Sequence, residues 1–179
     1  MEDDKRVEER LRSAIRDVPG FPKAGIVFKD ITPILSDPSL FQDTVAALAG
    51  PFREDRISKV VGIESRGFLF GPPLAFRLGA GFVPARKPGK LPRETVRETY
   101  ALEYGSDSLE IHRDAFRKGE RVLVVDDLLA TGGTASAAAR LAEKIGAEVV
   151  GMAFVVELEF LGGRAKMPGR RVHALVRYR

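Results

Sequence analysis

The chain has 179 residues, enough for one domain with a substantial core, and its apolar and charged fractions, 44% and 30%, are those of an ordinary globular protein. It contains no cysteine, which excludes disulfides, thiolate catalysis and cysteine-ligated zinc. The net charge of +4 is too mild to predict nucleic-acid binding but is compatible with an anionic small molecule. No apolar run approaches the ~18 residues of a membrane helix, and the polar N-terminus is unlike a signal peptide. We therefore expect a cytoplasmic protein that binds neither nucleic acid nor membranes.

The N-terminal quarter predicts two helices separated by a long loop. Apolar residues recur every three or four positions over residues 2–18, the pattern of an amphipathic helix. Residues 19–35 are rich in Pro and Gly, although they are unusually apolar for a loop. A second helix is expected after Ser36 or Asp37 as its cap, with Pro38 in the first turn.

The middle of the chain predicts strands at 59–63 and 81–86 on either side of a helix. Two prolines, Pro72 and Pro73, are expected to interrupt that helix or restart it. A long basic loop follows from Lys87 to about Glu98. Residues 99–105 and 108–113 then alternate well enough to form a hairpin.

The C-terminal third predicts strands at 121–125, 148–158 and 171–178. A helix over 134–147 lies between the first two and is ended by Gly146 as its C-terminal cap. Because strands alternate with helices, we expect one α/β domain, with a mostly parallel, twisted sheet and helices on both faces. Ligands of such sheets bind at the carboxyl ends of the strands.

One stretch, "VLVVDDLLATGGT" (residues 122–134), combines a buried strand, two adjacent acids and a short Thr-Gly turn before a helix. The amides at a helix N-terminus carry partial positive charge, and a Gly-rich turn lets them close on an anion. The hydroxyls of Thr131 and Thr134 add hydrogen bonds. The sequence therefore predicts a phosphate site that differs from a Walker A loop, which would end in Gly-Lys-Ser/Thr.

The two carboxylates need a different partner, since they would repel a phosphate. Sugar hydroxyls or a bound Mg²⁺ would suit Asp126 and Asp127, and a ribose 5-phosphate offers hydroxyls close to its phosphate. The alternative is purely structural, with the acids as helix caps and the glycines as a tight turn.

The whole pattern resembles the type I phosphoribosyltransferases, and among them the enzymes that act on adenine. The resemblance rests on four segments in the family's order: "FPKAGIVFKDITPIL", "GIESRGFLFGPPLA", "ARKPGKLPRETVRETYALEYG" and "VLVVDDLLATGGT". It implies the type I phosphoribosyltransferase fold over residues 1–179, with an N-terminal helix and base-binding hood at 1–35 and a flexible lid loop at 86–105. The implied reaction joins adenine to 5-phosphoribosyl 1-pyrophosphate (PRPP), giving AMP and pyrophosphate, in a homodimer that uses Mg²⁺.

The resemblance also assigns site residues by position. The 5-phosphate would be bound by Ala130, Thr131, Gly132, Gly133 and Thr134. Asp126 and Asp127 would face the ribose, and Arg66, next to a cis peptide at Glu64–Ser65, would meet the pyrophosphate. The remaining PRPP contacts would come from Arg86, Lys87, Lys90 and Tyr104. No residue is expected to be a dedicated metal ligand, because Mg²⁺ would be bound mainly through PRPP, with Asp126 or Asp127 as the candidate carboxylates.

For catalysis, the resemblance implies that Glu103 is the acid or base and that Arg66 stabilises the leaving group. The alternative for Glu103 is a solvated strand residue. Backbone groups of Val27 and Lys29 would read the adenine edge, and Leu128 would pack on its face. The chain departs from many relatives at Ala24, Lys29 and Glu64, where a Pro, an Arg and an Asp are common.

Two other classes of function stay open. One is a different base: a xanthine, hypoxanthine–guanine or orotate phosphoribosyltransferase. The other is a different role for the PRPP site, either in a regulator that senses PRPP without catalysis or in a pyrophosphokinase that makes it. A single substitution, Gly132→Val, is expected to weaken PRPP binding and to leave the fold intact.

Overall fold

The structure, a computed structural model, describes residues 2–101 and 105–179. The chain forms two compact units, residues 1–47 and residues 48–179. No helix in the described part of the chain is long and apolar enough to cross a membrane.

The first unit contains helix α1 (Glu2–Ala14), strands β1 (Arg16–Pro19) and β2 (Val27–Asp30), helix α2 (Thr32–Ser36) and most of helix α3 (Pro38–Ala49). The predicted first helix is four residues too long, because its last four residues belong to β1 or precede it. The predicted loop is wrong over part of its length: β1 and β2 pair antiparallel, with Val18 opposite Phe28. The cap of α3 is confirmed as Asp37, whose carboxylate accepts the Leu40 amide at 2.9 Å.

The second unit is built on five parallel strands with two main helices and a hairpin. In chain order these elements are β3 (Lys59–Ile63), α4 (Gly67–Leu78), β4 (Gly81–Ala85), β5 (Thr95–Ala101), β6 (Ser106–His112), β7 (Arg121–Leu129), α5 (Gly133–Ile145), β8 (Glu148–Leu158) and β9 (Val172–Tyr178). Short 3₁₀ turns lie at Gly50–Phe52, Glu159–Leu161 and Gly163–Lys166.

In the strand order β4-β3-β7-β8-β9, successive strands are added in one direction from β3 to β4 and in the other from β7 to β9. We call this topological switch point, between β3 and β7, the reversal of the sheet. All neighbouring pairs are parallel. Because the crossovers from β3 and β7 proceed to opposite sides, α4 and α5 cover opposite faces of the sheet. The predicted α/β class and the helices on both faces are confirmed. In sheets of this order, ligands bind at the reversal, outside the carboxyl ends of the two strands.

Helix α4 runs without a break through Pro72 and Pro73, so the predicted interruption is wrong. Each proline removes one helical hydrogen bond. The buried residues around them, Phe70, Gly71 and Leu74, fix the helix against the sheet. At Gly71 a Cβ would come within 2.3 Å of the Phe82 ring on β4, which shows how closely helix and sheet approach. Packing therefore compensates for the missing bonds.

The hairpin of β5 and β6 is confirmed, although β5 begins at Thr95, within the predicted basic loop. Alternate residues of β5 are buried, among them Glu98 and Tyr100. The hairpin and α5 share one hydrophobic cluster with the sheet, which includes Leu109 and Ile111. The early start of β5 follows from this packing, since a strand with one buried face is held against the core even where its exposed face is charged.

Candidate active site

Asp126 and Asp127 lie on β7, which continues four residues beyond its predicted end to Leu129. Asp126 is paired in register with Phe154 of β8. The two acids are therefore part of the ladder near the carboxyl end of the strand, at the reversal of the sheet. The helix that follows begins at Gly133, close to the predicted start.

The turn between β7 and α5 leaves a helix N-terminus open to an anion. Gly132 occupies the N-cap position with φ of +76°, and among the described residues no side chain caps the first turn. Thr131 is exposed, while Gly133 and Thr134 are half-buried. We call residues 130–134 the phosphate turn. Amides at an uncapped N-terminus supply hydrogen bonds and partial positive charge to a phosphate group.

The phosphate turn rests on residues 163–166, a contact that no sequence motif predicts. A Cβ on Gly132 would lie 2.3 Å from the carbonyl oxygen of Gly163, and a Cβ on Gly163 would lie 2.3 Å from that of Ala130. The Ser136 hydroxyl donates to the Lys166 carbonyl at 3.0 Å. These contacts correct the expectation that Gly132→Val would leave the fold intact, because any side chain there meets backbone. The only sequence signal was the pair Gly162-Gly163.

Arg66 and Asp127, assigned separately from the sequence, form an ion pair. The Arg66 Nε lies 2.6 Å from Asp127 Oδ2, and the Asp127 side chain is 6% exposed. Arg66 comes directly before α4, and the peptide bond between Glu64 and Ser65 is cis, as the resemblance implied. The pair links the loop after β3 to β7, so it lies at the reversal of the sheet next to the phosphate turn.

The carboxylate of Asp126 is turned toward the start of α4. Its Oδ1 accepts the Asp127 amide at 2.9 Å, and a Cβ on Gly67 would come within 3.0 Å of the same atom. Burial raises the pKa of Asp126 well above its usual value, and the neighbouring Asp127 carboxylate raises it further. Asp127 is thus the acid that holds a cation, whereas Asp126 is the acid that favours a proton.

The three cations assigned to pyrophosphate, Arg86, Lys87 and Lys90, are all bound to carboxylates. Arg86 Nε lies 3.3 Å from Glu64 Oε2, and Lys90 forms an ion pair with the other oxygen of Glu64. Lys87 forms an ion pair with Asp107 and donates to the Tyr100 hydroxyl at 3.2 Å. We call residues 86–90 the basic segment.

The backbone of the basic segment is also held in place. Arg86 and the buried Glu110 exchange two backbone hydrogen bonds, at 2.9 and 2.7 Å. The Glu110 carboxylate accepts the Gly89 amide at 3.1 Å and binds Arg97. Although burial opposes ionisation of Glu110, its hydrogen bonds from Arg97 and Gly89 lower its pKa. The first part of the predicted lid is therefore tied to β6.

The residues assigned to adenine lie in the two compact units, Val27 and Lys29 in the first and Leu128 in the second. Val27 and Lys29 are on β2, and the Lys29 ammonium lies 2.6 Å from Asp17. The Phe21 and Phe28 rings meet edge to face at 5.1 Å. Leu128 is half-buried on β7. Glu103 and Tyr104 lie outside the described residues.

Among known proteins, the model of the phosphoribosyl transferase domain matches residues 34–170. A protein of Anaeromyxobacter sp. (strain Fw109-5) named adenine phosphoribosyltransferase is 61% identical over 170 residues, which are 95% of this chain and 96% of that protein. The solved adenine phosphoribosyltransferase of Rhodothermus marinus superposes with a TM-score of 0.93 at 54% identity, covering 97% of this chain and 99% of that one. The Saccharomyces cerevisiae enzyme, solved with adenine and an imino-altritol bisphosphate, superposes with a TM-score of 0.90 at 46% identity, covering 96% and 99%.

The phosphate turn and the strand order are those expected of a phosphoribosyltransferase, and the residues matched by the family model include the phosphate turn and most of the sheet. The chain belongs to the adenine phosphoribosyltransferase family.

Proposed function

We propose that the protein transfers the phosphoribosyl group of PRPP to adenine, giving AMP and pyrophosphate, as a step of purine salvage. The observation that carries the proposal is the uncapped phosphate turn beside the Arg66–Asp127 pair, at the reversal of the sheet. A phosphate at the turn places the ribose of the same molecule toward the acids of β7. Membership of the family supplies the identity of the base.

The chemistry requires a stabilised leaving group. Breaking the bond between ribose C1 and pyrophosphate builds positive charge on the sugar, as in glycoside cleavage, and negative charge on pyrophosphate. Arg66 suits this task because a guanidinium presents five N–H donors in a rigid fork that matches phosphate oxygens. Arg86, Lys87 and Lys90 add further positive charge for the pyrophosphate group. Preorganised charge of this kind often contributes more to catalysis than any other single effect.

Mg²⁺ fits the donors that the site provides. Across residues 2–101 and 105–179, no three His, Cys, Asp or Glu side chains are grouped as a metal site. The adjacent acids Asp126 and Asp127 match the preference of Mg²⁺ for one or two carboxylates together with substrate phosphate oxygens. When bound, the ion neutralises charge that develops on pyrophosphate. Either acid would hold the ion.

The incoming adenine must lose its N9 proton, and we assign Glu103 to accept it. Tyr104 would contact PRPP beside it. The hood contributes backbone groups of Val27 and Lys29 to the base edge, and Leu128 packs on the base. Proton transfer by a placed carboxylate is worth roughly 10²–10⁴-fold in rate.

The test of function is pyrophosphate release with each base in turn. Adenine should react, whereas hypoxanthine, guanine, xanthine and orotate should be slower by at least ~10²-fold, because a wrong base leaves buried polar groups unpaired. Equal rates with hypoxanthine would favour the broader purine enzyme. PRPP binding without turnover of any base would favour the sensing regulator.

The protein's assembly and location complete the proposal. We infer a homodimer formed through α4, whose outer face carries exposed apolar residues at helical spacing: Leu69, Pro72 and Phe76, the last 90% exposed. Light scattering should give twice the chain mass, and Phe76→Asp should shift it to the monomer mass. A monomeric parent would contradict this assignment. The cytoplasmic location stays a prediction, to be checked by cell fractionation.

A further inference from the structure

Glu64 has an unusual set of partners for a residue between a strand and a substrate-binding arginine. Its Oε2 accepts the Lys87 amide at 3.0 Å and the Arg86 Nε at 3.3 Å, while Oε1 binds the Lys90 ammonium. Arg86 Nη1 in turn donates to the Lys90 carbonyl at 3.0 Å. One carboxylate therefore contacts the backbone and two of the cationic side chains of the basic segment.

The burial of these groups shows which of them a ligand can reach. The Glu64 side chain is 11% exposed, whereas those of Arg86 and Lys90 are 34% and 47% exposed. The acid lies beneath and the cations lie at the surface. A ligand that approaches from solvent thus meets the cations first, and the carboxylate remains behind them.

The surroundings of Glu64 favour its ionised form. Burial alone would raise its pKa, but the hydrogen bonds from Lys90 and the Lys87 amide, together with the charges of Lys90 and Arg86, lower it below the usual value. A buried carboxylate with this many donors is stable only while it is charged and the donors are present. The group is therefore a fixed negative charge under the basic segment.

We propose that Glu64 is a positioning residue for PRPP: its carboxylate holds Arg86 and Lys90 where their exposed sides can bind the pyrophosphate group. This inference rests on the proposed roles of these two cations. A preordered cation loses less conformational freedom when it binds than a free one does, so affinity rises without a contact between Glu64 and the substrate. The segment begins where β4 ends, next to β3 and the Arg66 turn, so the same carboxylate joins the two parts of the pyrophosphate site.

The opposite effect is also physically possible. If Glu64 acted only as an anion that competes with pyrophosphate for the cations, its removal would tighten PRPP binding. The proposal predicts weaker binding, so the two effects have opposite signs in the same experiment.

The first measurement is the affinity for PRPP with Mg²⁺, by calorimetry, with KM for PRPP and for adenine measured alongside. Glu64→Gln should weaken PRPP binding by roughly tenfold, because a neutral amide accepts hydrogen bonds from Arg86 and Lys90 about half as strongly as a carboxylate does and so holds them less firmly. KM for adenine should stay within about twofold. Glu64→Asp keeps the charge and should recover most of the affinity. Glu148→Gln is the control, because Glu148 pairs with Arg121 at the opposite, amino-terminal edge of the sheet.

The second measurement is a double-mutant cycle with Lys90→Met, which tests whether Glu64 acts through the cation. If it does, Glu64→Gln should cost much less in the Lys90→Met background than in the parent. Additive effects, or unchanged or tighter PRPP binding in folded Glu64→Gln, would overturn the proposal. If Glu64→Gln does not fold, the same cycle is run with Glu64→Ala, which also removes the carboxylate, and additivity again overturns the proposal. Failure of Arg86→Met and Lys90→Met to weaken PRPP binding at all would instead refute the roles of the cations.

Discussion

Three glycines allow the support of the phosphate turn to be dissected by single methyl groups. Gly162 has φ of +65° and open space around its Cβ position, so Gly162→Ala tests backbone conformation alone. Gly163 lacks a positive φ, and its Cβ would lie 2.3 Å from the Ala130 oxygen, so Gly163→Ala tests the contact alone. Gly132 combines a φ of +76° with a contact of 2.3 Å. The three substitutions separate strain from steric overlap.

The expected losses of stability follow from these geometries. A positive φ costs a residue with a Cβ about 1 kcal/mol, which is the expected loss for Gly162→Ala. Forcing backbone apart in a packed region costs about 1–3 kcal/mol, which is the range for Gly163→Ala. Gly132→Ala should lose about the sum, roughly 2–4 kcal/mol. Gly133→Ala, with its nearest neighbour at 3.5 Å and no positive φ, should change stability little.

Urea unfolding followed by circular dichroism measures the stabilities, and calorimetry measures PRPP affinity. Gly132→Ala and Gly163→Ala should both weaken PRPP binding by at least about tenfold, because each displaces amides of the phosphate turn. Gly162→Ala should bind PRPP like the parent, despite its lower stability. A Gly163→Ala protein with parental stability and parental PRPP affinity would refute the idea that backbone contact fixes the turn.

Four further results are expected. Glu103→Gln should lower kcat by roughly 10²–10⁴-fold with little change in PRPP affinity, and single-turnover rates within about threefold of the parent would exclude it as the base. Asp127→Asn removes the charge that holds Arg66, so we expect a raised KM for PRPP in steady-state kinetics, and an unchanged KM would contradict the role of the pair. Proteolysis within residues 87–98 should slow when substrates are added, since a closed lid excludes protease as well as water, and equal rates would count against a lid. Lys144 and Arg140 of α5 lower the pKa of Glu98, so their ion pairs with Glu98 should stabilise the fold above about pH 4.5, and this stabilisation should be lost as the pH falls. Glu98→Gln should therefore make the free energy of urea unfolding less dependent on acid pH.

The phosphate turn could be predicted from the sequence because its determinants are local. A buried strand, a Gly-rich turn and a helix start follow each other within residues 122–134, and each has its own signal. The strand order is less local, but the alternation of strands and helices restricts it to a few arrangements. The early part of β5 escaped prediction because its exposed face carries charges, and the hairpin of β1 and β2 because Pro and Gly obscured its alternation.

The support of the site could not be predicted, because its partners are far apart in sequence. Nothing near Gly132 indicates that Gly163 lies against it, and nothing near Lys87 indicates that Asp107 will bind it. Such contacts depend on which side chains the folded sheet brings together. The sequence identifies the residue types that a ligand needs, whereas the fold determines what those residues bind before the ligand arrives.

Because of these unpredicted partners, the positive charges assigned to PRPP are already paired with carboxylates of the protein. Composition alone suggests a basic loop ready to attract an anion, yet in the structure Arg66, Arg86, Lys87 and Lys90 each contact a carboxylate. PRPP must therefore share these cations with the protein's own acids or exchange places with them. The net electrostatic gain on binding PRPP is the difference between the cation–PRPP contacts and the cation–carboxylate contacts of the free protein. This gain is smaller than unpaired cations would give, and it depends more on geometry. Selectivity for a pyrophosphate over a simpler anion then follows, because only a ligand that meets several of the cations at once can compete with the carboxylates that they already contact.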